Sequence, residues 1–206
     1  KLFCATSNAG KLREFRQAAG GSIEVQGLPA LDCPEDGDTF EQNAISKALC
    51  YSRAAMSDTA FAGERPLYLF ADDSGIEVDA LAAAPGVHSA RFSGPGATGA
   101  SNNEMLVEKL RGVPSEGRGA RFVCVIALAL DGTLLSTFRG EVEGRILEAP
   151  VGSEGFGYDP LFFYPPLSCS FAELGAGLKW THSHRGKAFR QMLEWIGANP
   201  PEAHQP

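Results

Sequence analysis

The sequence contains no run of about 18 apolar residues, the length a helix needs to cross a bilayer, so no membrane-spanning helix is expected. It shows no charged-then-apolar leader, and it starts at Lys1 rather than Met, which suggests trimmed ends. Positive charge is short: 18 Lys and Arg stand against 25 Asp and Glu, for a net charge of −7. That balance argues against a broad nucleic-acid-binding face, while a local cluster of cations can still hold a small anion. Cysteine is sparse, with Cys4, Cys33, Cys50, Cys124 and Cys169 odd in number and widely scattered. Cys4 and Cys124 lie inside apolar strand-like runs and read as buried reduced thiols. Such thiols fit a cytoplasmic protein better than a secreted one. No internal repeat and no low-complexity segment appears. What remains, 206 residues with 44% hydrophobic and 21% charged, is an ordinary globular composition, read as a single domain over 1–206.

The stretch from Leu67 to Gly94 is the most informative. Leu67 to Ala71 is an apolar run suited to one buried strand, and it gives way to Asp72 and Asp73 and then to the turn-former pair Ser74-Gly75. Ligands of open α/β sheets sit at the carboxyl ends of strands. Two acids there suit a hard cation such as Mg²⁺ held through one or two carboxylates plus substrate phosphates. An ordinary turn would use the same residues.

Leu2 to Ala5 reads as a buried first strand. Thr6-Ser7-Asn8-Ala9-Gly10-Lys11 then leads into a helical pattern with Leu12, Phe15 and Ala19 on one side. Strand, small-residue turn and helix together point free backbone N–H groups at an anion. Lys11 suits a plain helix start poorly, since the dipole favours acids there. Either a bound phosphate or an Asn8 cap beside an exposed lysine would account for it. The second glycine of a P-loop is missing.

Ser22 to Gly27 reads as a second strand, and Leu28 to Asp38 as a loop bearing Glu35, Asp36 and Asp38. Thr39 with Gln42 forms a capping box that opens a helix to about Ala60, on which Asn43 and Lys47 share a face. Ser101 with Glu104 suggests another capping box. Arg121 to Leu130, Asp131-Gly132 and Thr133 to Glu143 make the strongest hairpin signal, continued by Arg145 to Leu147 beyond Gly144. The sheet should therefore be mixed. Phe156 and Tyr158, between glycines, could offer a platform for a flat base or simply pack as a turn. Leu161 to Tyr164 reads as a short strand, and Ser183 caps a last helix stopped by Gly197. His184 and Arg185 fall in its first turn, and the tail from Pro200 reads as loose.

Four blocks in order, TSNAGKLREF, ADDSGIEVDAL with PGVHSARFSG, GFGYDPLF and SHRGKA, resemble the inosine/xanthosine triphosphate pyrophosphatase family. The blocks cover the chain from Leu2 to about Leu193. The resemblance implies an elongated mixed β-sheet flanked by helices, in two lobes with a nucleotide cleft between them. It also implies hydrolysis of ITP, dITP and XTP to monophosphate and pyrophosphate with Mg²⁺, by a homodimer. On that resemblance Thr6, Ser7, Asn8, Ala9, Gly10 and Lys11 bind the triphosphate, with Lys47 reaching it from the second helix. Asp73 is the catalytic carboxylate and a metal ligand, Glu35 the other metal-binding acid, and Ser74 a substrate contact. Phe156, Gly157, Tyr158 and Asp159, with Lys179, His184 and Arg185, enclose the base.

Two departures stand out. Gln42 occupies a position where relatives often carry Glu, and the segment Leu178 to Ser183 is bulkier than usual. A nucleotide-binding regulator that lost its chemistry is a competing reading, opposed by the intact Asp72-Asp73 pair. A phosphotransferase with an aspartyl nucleophile would need Asp-x-Asp where the first strand ends in Thr6-Ser7-Asn8.

Overall fold

A computed structural model describes residues 1–21 and 23–200 of the chain. The expected strand residue Ser22 and the tail beyond Pro200 thus lie outside the described residues in whole or part. The chain divides into two compact units, Lys1–Asp73 with Val125–Arg139 and the chain from Lys187, and Ser74–Cys124 with Gly140–Gly186. No helix among the described residues is long and apolar enough to cross a membrane.

Seven strands are hydrogen-bonded in the order β2-β1-β3-β4-β5-β6-β7. They are β1 Leu2–Ala5, β2 Val25–Gly27, β3 Tyr68–Val78, β4 Gly119–Leu130, β5 Thr133–Ile146, β6 Phe162–Tyr164 and β7 Cys169–Ser170. β1 runs parallel to β2 and to β3, whereas β6 is antiparallel to β5 and to β7, so the sheet is mixed as expected. Among the described residues five α-helices accompany it: α1 Ala9–Ala18, α2 Phe40–Ser57, α3 Gly99–Lys109, α4 Ala176–His182 and α5 His184–Ala198. α4 has no counterpart in the sequence reading.

β3 corrects the central expectation. It does not stop at Asp72-Asp73 but carries both residues, and Ser74 and Gly75, within its length. Gly75 is there for close approach rather than for a turn: a Cβ at that position would lie 2.6 Å from the carbonyl oxygen of Gly86 and against Ser89. Ser89 Oγ in turn accepts from the Ile76 N–H at 2.9 Å, which holds the strand extended. The parallel register nevertheless ends at Ala5↔Ala71, so the two aspartates begin where β1 stops. That is the carboxyl end of β1, if not of β3.

Asp131 and Gly132 adopt φ of 46° and 82°, the left-handed pair that a two-residue hairpin demands, and they join β4 to β5 as predicted. β5 passes through Gly144 to Ile146 without a break. Helix boundaries shift for local reasons. Gln42 does not complete a capping box, because its Oε1 accepts from Asp38 N–H at 2.8 Å while Thr39 Oγ1 caps Gln42 N–H at 3.2 Å. α2 ends at Ser57, and Asp58 starts a separate 3₁₀ turn by accepting from Ala60 N–H at 2.9 Å. α3 is capped by Thr98, with Ser101 as the reciprocal partner rather than the cap itself. Ser183 does cap α5, accepting from Gly186 N–H at 3.0 Å, but Gly197 does not end that helix.

Each unit has its own aromatic core. In the first, Phe15, Phe70 and Phe189 meet with ring centroids 5.0 to 5.6 Å apart. In the second, Phe122 packs on Phe162 at 4.3 Å, and Phe162 on Phe171 at 5.0 Å, among Ile76, Leu106, Leu110 and Ile146. Gly144 belongs to this second packing. A Cβ there would lie 2.5 Å from both the Phe162 ring and the Phe163 carbonyl oxygen. Gly144→Ala should therefore destabilise the protein by about 1–3 kcal/mol through overpacking, read as a lower midpoint in denaturant unfolding with an unchanged slope.

Candidate active site

The residues singled out from the sequence fall into two groups, one in each unit: Thr6 to Lys11, Glu35, Lys47 and Asp73 in the first, and Ser74, Phe156 to Asp159, Lys179, His184 and Arg185 in the second.

In the first unit the turn after β1 is tied by its own side chains. Thr6 Oγ1 accepts from Asn8 N–H at 3.2 Å, and Asn8 Oδ1 accepts from Gly10 N–H at 2.9 Å and Lys11 N–H at 3.1 Å. Asn8 is thus the cap of α1, and Ser7, Asn8 and Ala9 are exposed. Lys11 is not the exposed lysine that a simple cap would leave. Its Nζ lies 2.8 Å from Asp72 Oδ2, with 14% and 0% of the two side chains exposed. The unfavourable position of a cation in the first helical turn is offset by this buried carboxylate.

Lys47 reaches the same place from α2. Its ammonium donates to the Asp72 carbonyl oxygen at 3.3 Å and pairs with Glu35 at 2.5 Å. Burial alone would lower the Lys47 pKa, but Asp72, Glu35 and Asp73 together outweigh it and the pKa ends above the ordinary value. Lys47 therefore stays charged. Asp73 behaves the other way. Burial pushes its carboxyl up, Asp72 adds to the push, and Lys11, an Asn43 hydrogen bond and Lys47 only partly oppose it.

The loop between β2 and α2 lies along that helix, its earlier residues near the helix C-terminus and its later ones near the N-terminus. Leu31 N–H donates to Tyr51 Oη at 2.9 Å, Cys33 is disulfide-bonded to Cys50, and Ser46 Oγ donates to the Pro34 carbonyl at 3.0 Å. Then come Glu35 on Lys47, Gly37 N–H on Asn43 Oδ1 at 2.8 Å, and Asp38 N–H on Gln42. The disulfide is a departure from the sequence reading, in which no cysteines were paired; Cys4 and Cys124 are buried and outside any disulfide, as expected. Nothing in a spacing of 17 residues announces such a bridge.

Three carboxylates, Asp72, Asp73 and Glu35, thus gather around two ammonium groups, Lys11 and Lys47. With all five ionised the cluster carries one surplus negative charge, which a divalent cation would relieve, and a cation would also favour the ionised form of Asp73, whose pKa is raised mainly by burial. Among the described residues no three His, Cys, Asp or Glu form a ready metal cage. The arrangement accordingly fits Mg²⁺, which is bound through one or two carboxylates with substrate oxygens, better than a metal held by protein alone.

In the second unit Phe156 is half-buried, with the Lys179 ammonium 5.1 Å and the Arg185 guanidinium 4.9 Å from its ring centre. Lys179, on α4, pairs with Asp159 at 2.6 Å, both side chains being at most 5% exposed. Asp159 also accepts from the Phe156 N–H at 2.8 Å. Arg185 donates to Ser74 Oγ at 3.3 Å. His184 is buried and stacks on Phe122, with centroids 4.7 Å apart and planes 14° apart. Tyr158 is no open platform: it is buried, and its hydroxyl donates to the Ser89 carbonyl at 2.7 Å. Asn103 Nδ2 holds the Gly157 carbonyl at 3.0 Å.

Sequence reasoning did not assign roles to Asn43 or Asn103, or see that Asp159 and Lys179 are partners. Asn43 had a usable signal, since it lies four residues before Lys47 on one helical face. The other pairings join distant segments and leave no local trace.

Asp73 supplies a pH test. Its carboxyl takes up a proton more readily folded than unfolded, so between the ordinary carboxylate value and the raised one the folded state binds the extra proton. Stability then falls as pH rises through that window, and the cost of the ionised group persists above it. In metal-free buffer at neutral pH, Asp73→Asn should melt at a higher temperature than the wild type. The gain should shrink as pH falls through that window and be gone below the ordinary carboxylate value, as followed by circular dichroism.

The whole chain is similar to known proteins. A dITP/XTP pyrophosphatase of Syntrophobacter fumaroxidans is 44% identical, covering 96% of this chain and 85% of its own. One from Thermus thermophilus is 43% identical, covering 98% and 94%. The solved structure of a HAM1 protein from Coxiella burnetii is similar with a TM-score of 0.79 at 34% identity, over 96% of this chain and 98% of that one. With residues 2–195 matching the Ham1 family as well, the chain belongs to that family.

Proposed function

We propose that the protein hydrolyses deaminated purine nucleoside triphosphates, dITP, ITP and XTP, to the monophosphate and pyrophosphate, and so clears them from the nucleotide pool before they enter DNA or RNA. The observation that carries this reading is the cluster at the end of β1, where Lys11 and Lys47 meet Asp72 and Asp73. A protein that merely bound nucleotide would have no use for a buried carboxylate with a raised pKa beside two lysines. The names of the relatives above support the substrate class.

Asp73 is the catalytic carboxylate in this reading. A carboxyl whose pKa is raised is a better proton acceptor for an attacking water than an ordinary one. The turn from Thr6 to Lys11, with Lys47, receives the triphosphate. Phosphate oxygens would compete with Glu35 for Lys47 more readily than with Asp72 for Lys11, because Glu35 is 41% exposed and Asp72 is fully buried. The two ammonium groups would then neutralise the departing pyrophosphate. Asp73 and Glu35 are the protein groups that would hold Mg²⁺, which when bound supplies charge neutralisation at the phosphates.

Phe156, Ser74, Lys179 and Arg185, with Gly157, Asp159 and the stacked His184, take the base. Lys and Arg side chains only donate hydrogen bonds. A 6-oxo purine accepts at that position, whereas the 6-amino group of adenine donates and would leave a buried donor unmatched. We place the activity in the cytoplasm, with substrates free in solution and no nucleic-acid or membrane partner, and the protein as a homodimer.

Incubation with dITP and Mg²⁺ should yield dIMP and pyrophosphate by chromatography; orthophosphate or no turnover would contradict the reading. The kcat/KM for dITP should exceed that for ATP by roughly 10⁴-fold. Sedimentation at micromolar concentration should return twice the chain mass, and a monomer would refute the dimer.

A further inference from the structure

We infer that Asn43 is a positioning residue for Asp73, and that its own orientation is set by the backbone of the loop between β2 and α2; the inference rests on the catalytic role proposed for Asp73. Asn43 is 2% exposed on α2. Its Oδ1 accepts from Gly37 N–H at 2.8 Å, and its Nδ2 donates to Asp73 Oδ2 at 3.0 Å. The two bonds are not interchangeable. A backbone N–H can only donate, so the amide must turn its oxygen to Gly37 and, by its planarity, its nitrogen to the aspartate. A flipped amide would set two donors face to face at Gly37 and leave Asp73 facing an acceptor.

Gly37 is fitted to this task. A Cβ there would lie 2.9 Å from Asn43 Oδ1 and 2.7 Å from Gln42 Cβ, so a side chain would push the loop off the helix. The neighbouring fastenings hold the N–H where Asn43 needs it: Asp38 N–H on Gln42 at 2.8 Å on one side, Glu35 on Lys47 at 2.5 Å on the other. Gln42 thus contributes to the lock rather than to helix capping alone. One oxygen of Asp73 is accordingly held by a donor on α2, which restricts how the carboxylate can turn towards its substrate. Preorganisation of this kind is worth much in rate, since small misplacements of a reacting group cost about 10²-fold.

Asn43→Asp tests the assignment. It is isosteric, keeps an acceptor for Gly37 and replaces the donor to Asp73 with a second carboxylate, the added charge being controlled for by the uncharged Asn43→Ser. The kcat of Asn43→Asp for dITP should fall by roughly 10²-fold, with little change in KM and a cooperative thermal transition. In the Asp73→Asn background the same substitution should leave the residual turnover nearly unchanged, because a residue that acts through Asp73 has nothing left to position. Should Asn43→Asp fail to fold, Asn43→Ser is read in the same cycle. Wild-type turnover by Asn43→Asp, or losses that multiply in the double variant, would overturn the positioning role while leaving the function intact. A wild-type protein inert towards dITP would instead overturn the functional reading, and the inference with it.

Discussion

A carboxylate with no exposure to water has to be compensated from within the protein, and in this chain that carboxylate is Asp72. The desolvation cost of a buried charge is several kcal/mol unless a partner is close and well placed. Lys11 is that partner, which explains why a cation opens α1 where the helix dipole would favour an acid. Lys47 is drawn to the Asp72 carbonyl from α2. Two helices are thereby committed to one point on β3, and Asp73 is held beside it. The second unit repeats the device with Asp159 and Lys179, again a pair with almost no exposure. Ion pairs of this kind are weak contributors to stability, and apolar residues would serve packing as well. Their retention suits a site that has to meet a charged ligand.

The loop before α2 shows how irregular backbone can be made to aim. It has no ladder of its own, yet six of its residues, from Leu31 to Asp38, are fastened along α2, the earlier ones near its C-terminus and the later ones near its N-terminus. Cys33–Cys50 links the two covalently, and the lack of a side chain at Gly37 allows close approach. Through Asn43 the loop is coupled to Asp73, so the geometry of the carboxylate depends on a segment that, by sequence alone, looks like acidic linker.

Much of this was legible beforehand because it is local. The hairpin at Asp131-Gly132 follows from two residues that tolerate positive φ, and the Asn8 turn and the Thr39 cap follow from side chains that reach their own backbone. What escaped the sequence depends on partners far along the chain. Gly75 reads as a turn until Gly86 and Ser89 are found against it, and β3 then runs on past its aspartates. Tyr158 reads as either an open ring or a packed turn, and its hydroxyl on Ser89 decides for the packed one. Lys11 reads as either a phosphate ligand or an exposed lysine, and only the fold shows Asp72 beneath it. The family resemblance singled out Asp73, Lys11 and Lys47, which the fold brings near one another, but the division of labour between the two aspartates is a matter of burial, which spacing does not reveal.

That division is the central claim: Asp72 is committed to Lys11, and Asp73 carries the chemistry. Turnover of dITP by Asp72→Asn and Asp73→Asn, measured side by side with nucleotide affinity, tests it most directly. The account predicts that Asp73→Asn loses on the order of 10²–10⁴ in kcat with binding largely kept, the range of a lost general base. Asp72→Asn should keep more turnover and lose stability instead, as Lys11 is left beside a neutral group. Near-normal turnover by Asp73→Asn alongside an inactive but stable Asp72→Asn would contradict it.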